Sequence, residues 1–270
     1  MKIARCAVLF LLLLPALLAA QTLKLEVLKP QFKFGSGTAK AEPSTFTTAW
    51  FFTVDLPVWG KLNLVAQLPF ALGKLEGGTV PVEDQTIGNP AVGLRFKHES
   101  LDLEVSLRLP LAKEGNFAGF IGSIADLDRQ EAFVPNLVPL AGMVRSKIAI
   151  SKFNIRPYGG VTVNVFTDNK VDSLNIVKQV FKKLKLNDFE MHVLYGAEGW
   201  WVPGKFNLGA AFNGRGWITS NGNFRQSAIH QMTFRARHQF GNFTPGILFR
   251  LPFDDLILDN VLGVDMQLEL

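Results

Sequence analysis

Serine, histidine and asparagine side chains are the first candidates for chemistry in this chain, because together they can hydrolyse an ester. Ser220 is followed by Asn221 and Gly222, but no histidine stands just before the serine, and Ser-Asn-Gly is typical of a turn. The four histidines are dispersed: His98, His192, His230 and His238. No two of them have metal-binding spacing with a carboxylate in register, and the one cysteine is Cys6. The sequence therefore predicts no enzyme, no metal centre and no cofactor.

Charged side chains at every second position are a stronger chemical signal, because fixed charges along a passage select ions. The stretch VGLRFKHESLDLEVSLRLP contains a two-residue turn at Glu99-Ser100. This turn predicts four cross-strand pairs: Lys97 with Asp102, Arg95 with Glu104, Phe96 with Leu103, and Leu94 with Val105. One face of the hairpin is all ion pairs and the other is all hydrocarbon. A soluble sandwich would bury the hydrocarbon face against a second sheet, whereas a membrane barrel would turn it to lipid.

The charges of other strands fall on the same polar face. The candidate lumen-facing residues, which would set the selectivity of a passage, are Arg95, Lys97, Asp102, Glu104, Arg108, Arg225, Arg235, Arg237 and Arg250. Among all inward positions that can be assigned, twelve are basic and seven are acidic. Two interpretations stay open. The charges either neutralise one another in a ladder that props or plugs a barrel, or they line an anion-leaning passage.

Twelve segments with alternating apolar and polar residues would position these charges. They lie at roughly 23–34, 45–56, 61–70, 90–98, 101–110, 142–151, 153–166, 188–200, 204–214, 223–239, 242–251 and 261–270. Most are longer than the about 5–6 residues of a usual globular strand and match the about 9–11 of a tilted membrane-spanning strand. The pattern predicts an all-β fold, an antiparallel transmembrane β-barrel of about twelve strands.

The connections between these segments alternate in length. Short links at 57–60, 99–100, near 152 and at 202–203 separate long links at 71–89, 111–141 and 167–187. Outer-membrane barrels have short periplasmic turns and longer outer loops, and Trp59, Trp200 and Trp201 at the short links suit an interfacial girdle. Loop 111–141 is long enough to fold into the lumen. Segment 171–185 has helical periodicity and would cap the barrel mouth or lie on anionic headgroups.

The first twenty residues, MKIARCAVLFLLLLPALLAA, read as a secretory signal peptide, so residues 21–270 would form the barrel domain. Without the signal, 26 basic residues face 23 acidic ones, and no run of Lys and Arg suggests nucleic-acid binding. Apolar residues make up 48% of the chain, and 23 of all residues are Phe. Such a chain either buries a large core or exposes apolar surface to lipid.

Two resemblances extend this interpretation. The runs DLPVWGKLNLVAQLPF, IGNPAVGLRFK and LDLEVSLRLPLAKEG, within about residues 55–115, resemble the outer-membrane "MetA-pathway of phenol degradation" family. The resemblance implies an outer-membrane location and transport of small hydrophobic or aromatic compounds, and it assigns no catalytic or binding residue. The last segment, VLGVDMQLEL, resembles the C-terminal signal that the barrel-insertion machinery recognises.

The sequence thus favours an exported outer-membrane barrel, in contact with outer-membrane lipid, that passes a small solute passively. A structural or surface-binding barrel without a through-pore is the alternative. A soluble exported β-sandwich or lipocalin-like carrier comes third. About twelve strands lie between the eight that side chains can fill and the sixteen or more of open porins, so strand number alone does not separate a channel from a plugged barrel.

Overall fold

A computed structural model describes residues 21–32, 47–75, 82–167, 189–219, 227–254 and 258–270. Four features predicted from the sequence lie outside these residues: the signal peptide at 1–20, the helix at 171–185, the turn at 220–222, and the lumen candidate Arg225.

The described residues form fourteen strands and two short helices. The strands are β1 (Thr22–Phe32), β2 (Thr48–Trp59), β3 (Leu62–Leu75), β4 (Val82–Ile87), β5 (Ala91–Lys97), β6 (Leu101–Arg108), β7 (Leu137–Ser146), β8 (Ile148–Ile150), β9 (Phe153–Phe166), β10 (Phe189–Trp201), β11 (Phe206–Trp217), β12 (Ala228–His238), β13 (Phe243–Pro252) and β14 (Leu258–Glu269). The helices are α1 (Phe117–Ala125) and a 3₁₀ helix (Leu127–Ala132). Neither helix is long enough to cross a membrane, and the described part of the chain holds no other helix that could.

All strand pairs are antiparallel, and the sheet closes on itself. β1 pairs with both β2 and β14, and β9 pairs with both β7 and β10. β4 extends the line of β5 along β3, and β8 extends the line of β7 along β9, so the described strands fill twelve positions around the barrel. The predicted twelve-strand antiparallel barrel is therefore confirmed. Closure leaves no sheet edge, which a lipid environment requires.

The alternating pattern places one set of side chains outside and the other inside. The predicted hairpin register is confirmed, since Arg95 lies opposite Glu104 and Leu94 lies opposite Val105. Leu94, Leu103 and Val105 are exposed on the outer wall, whereas Arg95 and Glu104 face the interior. The exterior is thus an apolar belt, as the membrane-barrel interpretation requires.

Short and long connections lie at opposite ends of the barrel. β1 begins and β14 ends at the end that carries the short links, such as those between β5 and β6 and between β10 and β11. Two of the predicted long links were too long, because β4 lies within 71–89 and β7 already begins at Leu137 inside 111–141. The strand predicted at 204–214 also continues further, since β11 ends at Trp217. β4 and β11 contact the helices of the segment between β6 and β7.

The segment between β6 and β7, residues 109–136, folds into the barrel and is called the inward loop below. It contacts β1, β11 and β13 across the interior, as the sequence had allowed. α1 packs against an apolar part of the inner wall, where Phe51 and Phe133 meet edge to face with ring centroids 5.8 Å apart. The buried cluster contains Leu28, Ala49, Phe51, Ala71, Ala118, Ile124, Ala125, Ala132, Phe133, Leu248, Leu258 and Val261.

Candidate functional site

The barrel encloses a cavity of about 670 Å³ between its short-link end and the inward loop. Lys147, Gln239 and Glu269 line it near the short-link end, and Asp126 and Arg129 of the inward loop line it deeper inside. Most of the wall is polar or charged because the inward face of each strand carries the polar half of the alternating pattern. The cavity is the candidate functional site.

Asn89 fixes both ends of the inward loop from the start of β5. Its side-chain amide donates to the carbonyl oxygens of Glu131 (2.8 Å) and Val134 (2.6 Å), and its Oδ1 accepts from the backbone N–H of Ala112 (2.7 Å). A Cβ at Gly88 would lie 2.1 Å from the carbonyl oxygen of Ala132, so the loop can approach only because residue 88 is glycine. The Gly88-Asn89 pair is thus a clamp for the loop.

A second anchor holds the start of α1. Asn116 caps the helix, accepting from the backbone N–H of Gly119 at 2.9 Å. Its Nδ2 donates to Asp84 of β4 at 2.8 Å, and the same carboxylate accepts from the N–H of Phe117 at 2.9 Å. The extra strand β4 therefore positions the helix inside the lumen.

Ion pairs join the middle of the inward loop to three strands. Arg129 lies 2.6 Å from Glu26 of β1, and Arg215 of β11 contacts Glu131. Arg250 of β13 donates to the carbonyl oxygen of Ala125 at 2.9 Å. Arg215, Glu131 and Arg250 are almost fully buried, so each charge depends on its partner.

The carboxyl groups of the loop differ in their pKa values. Burial alone would raise the pKa of Asp126, but Arg129 and Arg250 hold it well below its usual range. Burial and the neighbouring Asp126 raise the pKa of Asp128 to about 6, although the nearby Arg250, Arg129 and Arg215 oppose the rise. Asp128 also accepts a hydrogen bond from Asn213 at 2.5 Å. One acid of the lumen thus titrates near neutral pH.

Most of the predicted lumen residues face the interior and are paired. Arg95 lies 2.9 Å from Asp55 and 2.8 Å from Glu104. The Lys97 ammonium reaches Asp55 at 3.0 Å rather than its cross-strand partner Asp102. The other predicted residues have these partners: Asp102 with Lys147, Glu104 also with Arg145, Arg235 with Glu26 and Glu198, Arg237 with Asp265, and Arg250 with Asp126. A carboxylate therefore neutralises most predicted cations.

Three cavity-lining cations differ from this pattern. Among the described residues, Lys24, Arg108 and Arg156 make no ion pair with a carboxylate. Arg108 donates only to neutral acceptors, the carbonyl of Asn89 at 3.0 Å and the side chain of Gln67 at 2.7 Å. Two of the acids that line the cavity, Asp128 and Glu269, also make no ion pair with a basic residue that the structure describes. The unpaired charges of the described lining residues are therefore three positive and two negative.

Sequence reasoning missed some of these residues. Arg215 was placed in a link, because the glycines around it hide the alternation that continues to Trp217. Lys24 and Glu26 were missed because the inward positions of the first strand are not all polar: Leu28, two residues after Glu26, also faces inward. Trp200 had been assigned to the girdle but lines the cavity, where its ring lies 4.7 Å from the guanidinium carbon of Arg237.

Comparisons with known proteins bear on the fold alone. No family model matches the chain, and no curated protein matches it. An outer membrane channel from Pseudomonas putida F1 is 10% identical, covers 93% of this chain and 96% of its own, and has a TM-score of 0.56. The translocator domain of the autotransporter NalP from Neisseria meningitidis (11% identity, 100% and 97% covered, TM-score 0.55) and the NanC porin (8%, 92% and 100%, 0.52) are also similar. The fold is that of outer-membrane β-barrels.

Proposed function

We propose that this protein is an outer-membrane channel for the passive passage of small anionic solutes. The observation that carries the proposal is the set of unpaired cations, Lys24, Arg108 and Arg156, around a polar cavity. Inside a narrow lumen such charges are weakly screened and raise the local concentration of anions. The paired charges contribute little net field, because each cation lies beside an acid.

The nature of the solute follows from the cavity wall and the family resemblance together. The resemblance implies small hydrophobic or aromatic compounds, whereas the polar wall disfavours an uncharged hydrocarbon. A small aromatic anion satisfies both conditions, because its ring can lie near Met143, Trp200 or Met266 while its charge meets a cation. Aromatic sulfonates and carboxylates are therefore the class to test.

The membrane location is part of the same proposal. The apolar outer belt supports residence in lipid, and the similar folds are those of outer-membrane proteins. β14 pairs with β1 and closes the barrel, so the C-terminal strand suits recognition by the insertion machinery. Export through a cleaved signal peptide at 1–20 belongs to this proposal.

Uptake into proteoliposomes tests the function. Benzenesulfonate and benzyltrimethylammonium are aromatic ions of similar size with permanent opposite charge, so neither crosses the bilayer readily. We expect the protein to admit benzenesulfonate several-fold faster, and Lys24→Gln with Arg108→Gln and Arg156→Gln to remove this preference. Equal entry of both ions would contradict an anion channel.

The alternative is a structural barrel without a through-pore. The observation in its favour is the inward loop, which is anchored to two separate strands of the wall through Glu26 on β1 and Arg215 on β11. In that case neither ion would enter faster than into protein-free liposomes.

A further inference from the structure

A row of paired residues crosses the inner wall at right angles to the strands and is called the wall row below. Lys24 on β1 is paired with Thr53 on β2, and Thr53 is paired with Gln67 on β3. Gln67 is paired with Ala91 on β5, which is paired with Arg108 on β6. All five residues line the cavity. The wall row therefore has a cation at each end and only neutral side chains between them.

Hydrogen bonds hold the Arg108 end of the wall row in place without neutralising its charge. The guanidinium donates to the side-chain oxygen of Gln67 at 2.7 Å and to the carbonyl oxygen of Asn89 at 3.0 Å. The side chain crosses β5 to reach Gln67, and it has room to do so because Ala91 carries only a methyl group. Neutral acceptors thus fix the position of Arg108 while its full positive charge stays available to an anion.

The rest of the wall row adds a hydroxyl group and a second cation. The side-chain amide of Gln67 donates to Oγ1 of Thr53 at 3.2 Å. Because Thr53 acts as the acceptor there, its hydroxyl hydrogen can still be donated to a ligand. Lys24 is exposed in the lumen and makes no hydrogen bond or ion pair with any residue that the structure describes. Two cations and a hydroxyl donor therefore lie along one wall of the cavity.

The acids closest in sequence to the two end cations are held by other basic residues. Glu26 on β1 lies 2.6 Å from Arg129 of the inward loop. Glu104 on β6 lies 2.8 Å from Arg95 and 2.8 Å from Arg145. These carboxylates are already neutralised, so they compete weakly with an anionic ligand for the ends of the wall row.

We propose that the wall row binds a small dianion, with one anionic group at Lys24 and the other at Arg108. Neighbouring strands lie about 4.8 Å apart, so four strand spacings separate the two Cα atoms by about 19 Å along the wall. The charged groups lie closer together than the Cα atoms, because both side chains point into the lumen and that of Arg108 leans towards Lys24 as far as Gln67. Two sulfonates or carboxylates joined by an aromatic ring suit this arrangement, with the Thr53 hydroxyl between them.

The inference rests on the proposed function and deepens it, since Lys24 and Arg108 are two of the cations that carry that function. It adds that the preferred solute has two negative charges and is held at a defined place on the wall. Binding at the wall row does not require a lumen that is open at both ends. A binding measurement can therefore fail or succeed independently of a conductance measurement.

Isothermal titration calorimetry of the detergent-purified protein tests the wall row. The probes are benzene-1,4-disulfonate and benzenesulfonate, which differ by one permanently charged group and are compared at the same ionic strength. We expect the disulfonate to bind several-fold more tightly. Lys24→Gln and Arg108→Gln should each remove most of this preference, because either change leaves one sulfonate without its cation.

Lys147→Gln is the matched control, because it also removes one positive charge from the cavity wall. Lys147 lies outside the wall row and pairs with Asp102 at 2.7 Å. This variant should keep the preference for the disulfonate. Faster migration of unheated than of boiled protein on a gel shows that each variant is folded.

Two results would overturn the proposal. One is equal affinity of the wild type for the two probes. The other is a loss of preference in Lys147→Gln as large as that in Lys24→Gln, which would mean that the general field of the lumen attracts the dianion. A protein that binds the disulfonate more tightly through Lys24 and Arg108 but does not conduct would support the wall row and contradict only the channel.

Discussion

The guanidinium of Arg129 on the inward loop lies 2.6 Å from the carboxylate of Glu26 on β1. The positive charge that Arg129 brings into the barrel is thereby neutralised by the carboxylate of Glu26 on the wall. The same holds for Glu131 of the loop and Arg215 on β11. These pairs are close to neutral, so the net field of the lumen comes from the unpaired charges, which among the described lining residues are the cations Lys24, Arg108 and Arg156 and the acids Asp128 and Glu269.

The first prediction concerns the buried pair of Arg215 and Glu131. Arg215→Leu leaves the Glu131 carboxylate buried without its partner, which should lower the free energy of unfolding by about 3–5 kcal/mol. Denaturant unfolding in lipid vesicles measures the change. The double variant Arg215→Leu with Glu131→Leu should recover most of the loss, and a double variant as unstable as the single one would mean that the pair is not the cause.

The second prediction concerns the clamp. Asn89→Ala removes three hydrogen bonds to the inward loop, so the loop should leave its place more often and single-channel conductance in planar bilayers should rise. Asn242→Ala, in a short link at the opposite end, is the control and should conduct like the wild type. Unchanged conductance in Asn89→Ala would show that the clamp does not govern the width of the lumen.

The third prediction tests which face of the barrel meets lipid. Leu103→Arg and Val105→Arg each place a charge on the exposed outer wall, which should cost about 2–4 kcal/mol near the membrane midplane. Ser106 lines the cavity, so Ser106→Arg should cost much less. Urea titrations of protein folded in vesicles compare the three variants, and equal losses would mean that both faces are packed against protein.

The alternation of residues on the strands made the barrel and its register predictable. It gave the hairpin pairs of Arg95 with Glu104 and Leu94 with Val105, because neighbours on adjacent strands follow directly from turn position. It gave the ion pair of Arg95 with Glu104 but not that of Lys97, whose ammonium reaches past its strand neighbour to Asp55.

Contacts between segments distant in the sequence explain most of what was missed. Asn89 binds the carbonyls of residues 42 and 45 positions away, and no local pattern marks this. Phe51 is an inward aromatic that packs on Phe133, and on the strand alone it looks like an error in the alternation. The role of an apolar residue on the inner wall can be predicted only when the segment that packs against it is known.

The fourth prediction concerns pH. Because burial and Asp126 raise the pKa of Asp128 to about 6, lowering the pH from 7 to 5 protonates this side chain and removes a negative charge from the lumen. Anion preference, measured as the reversal potential under a salt gradient, should therefore increase on acidification. Asp128→Asn should show a smaller change over the same range. A variant that responds like the wild type would place the titrating group elsewhere.

The central claim is that unpaired lumen cations give an open barrel its preference for anions. The most direct measurement is the reversal potential of the purified protein in planar bilayers under a tenfold potassium chloride gradient. The account predicts an anion-selective wild type and a shift towards cation selectivity in the triple variant Lys24→Gln, Arg108→Gln and Arg156→Gln. The double variant Arg237→Gln with Asp265→Asn removes a neutral pair and should stay near the wild type. A wild type without conductance, or a triple variant with unchanged reversal potential, would contradict the claim.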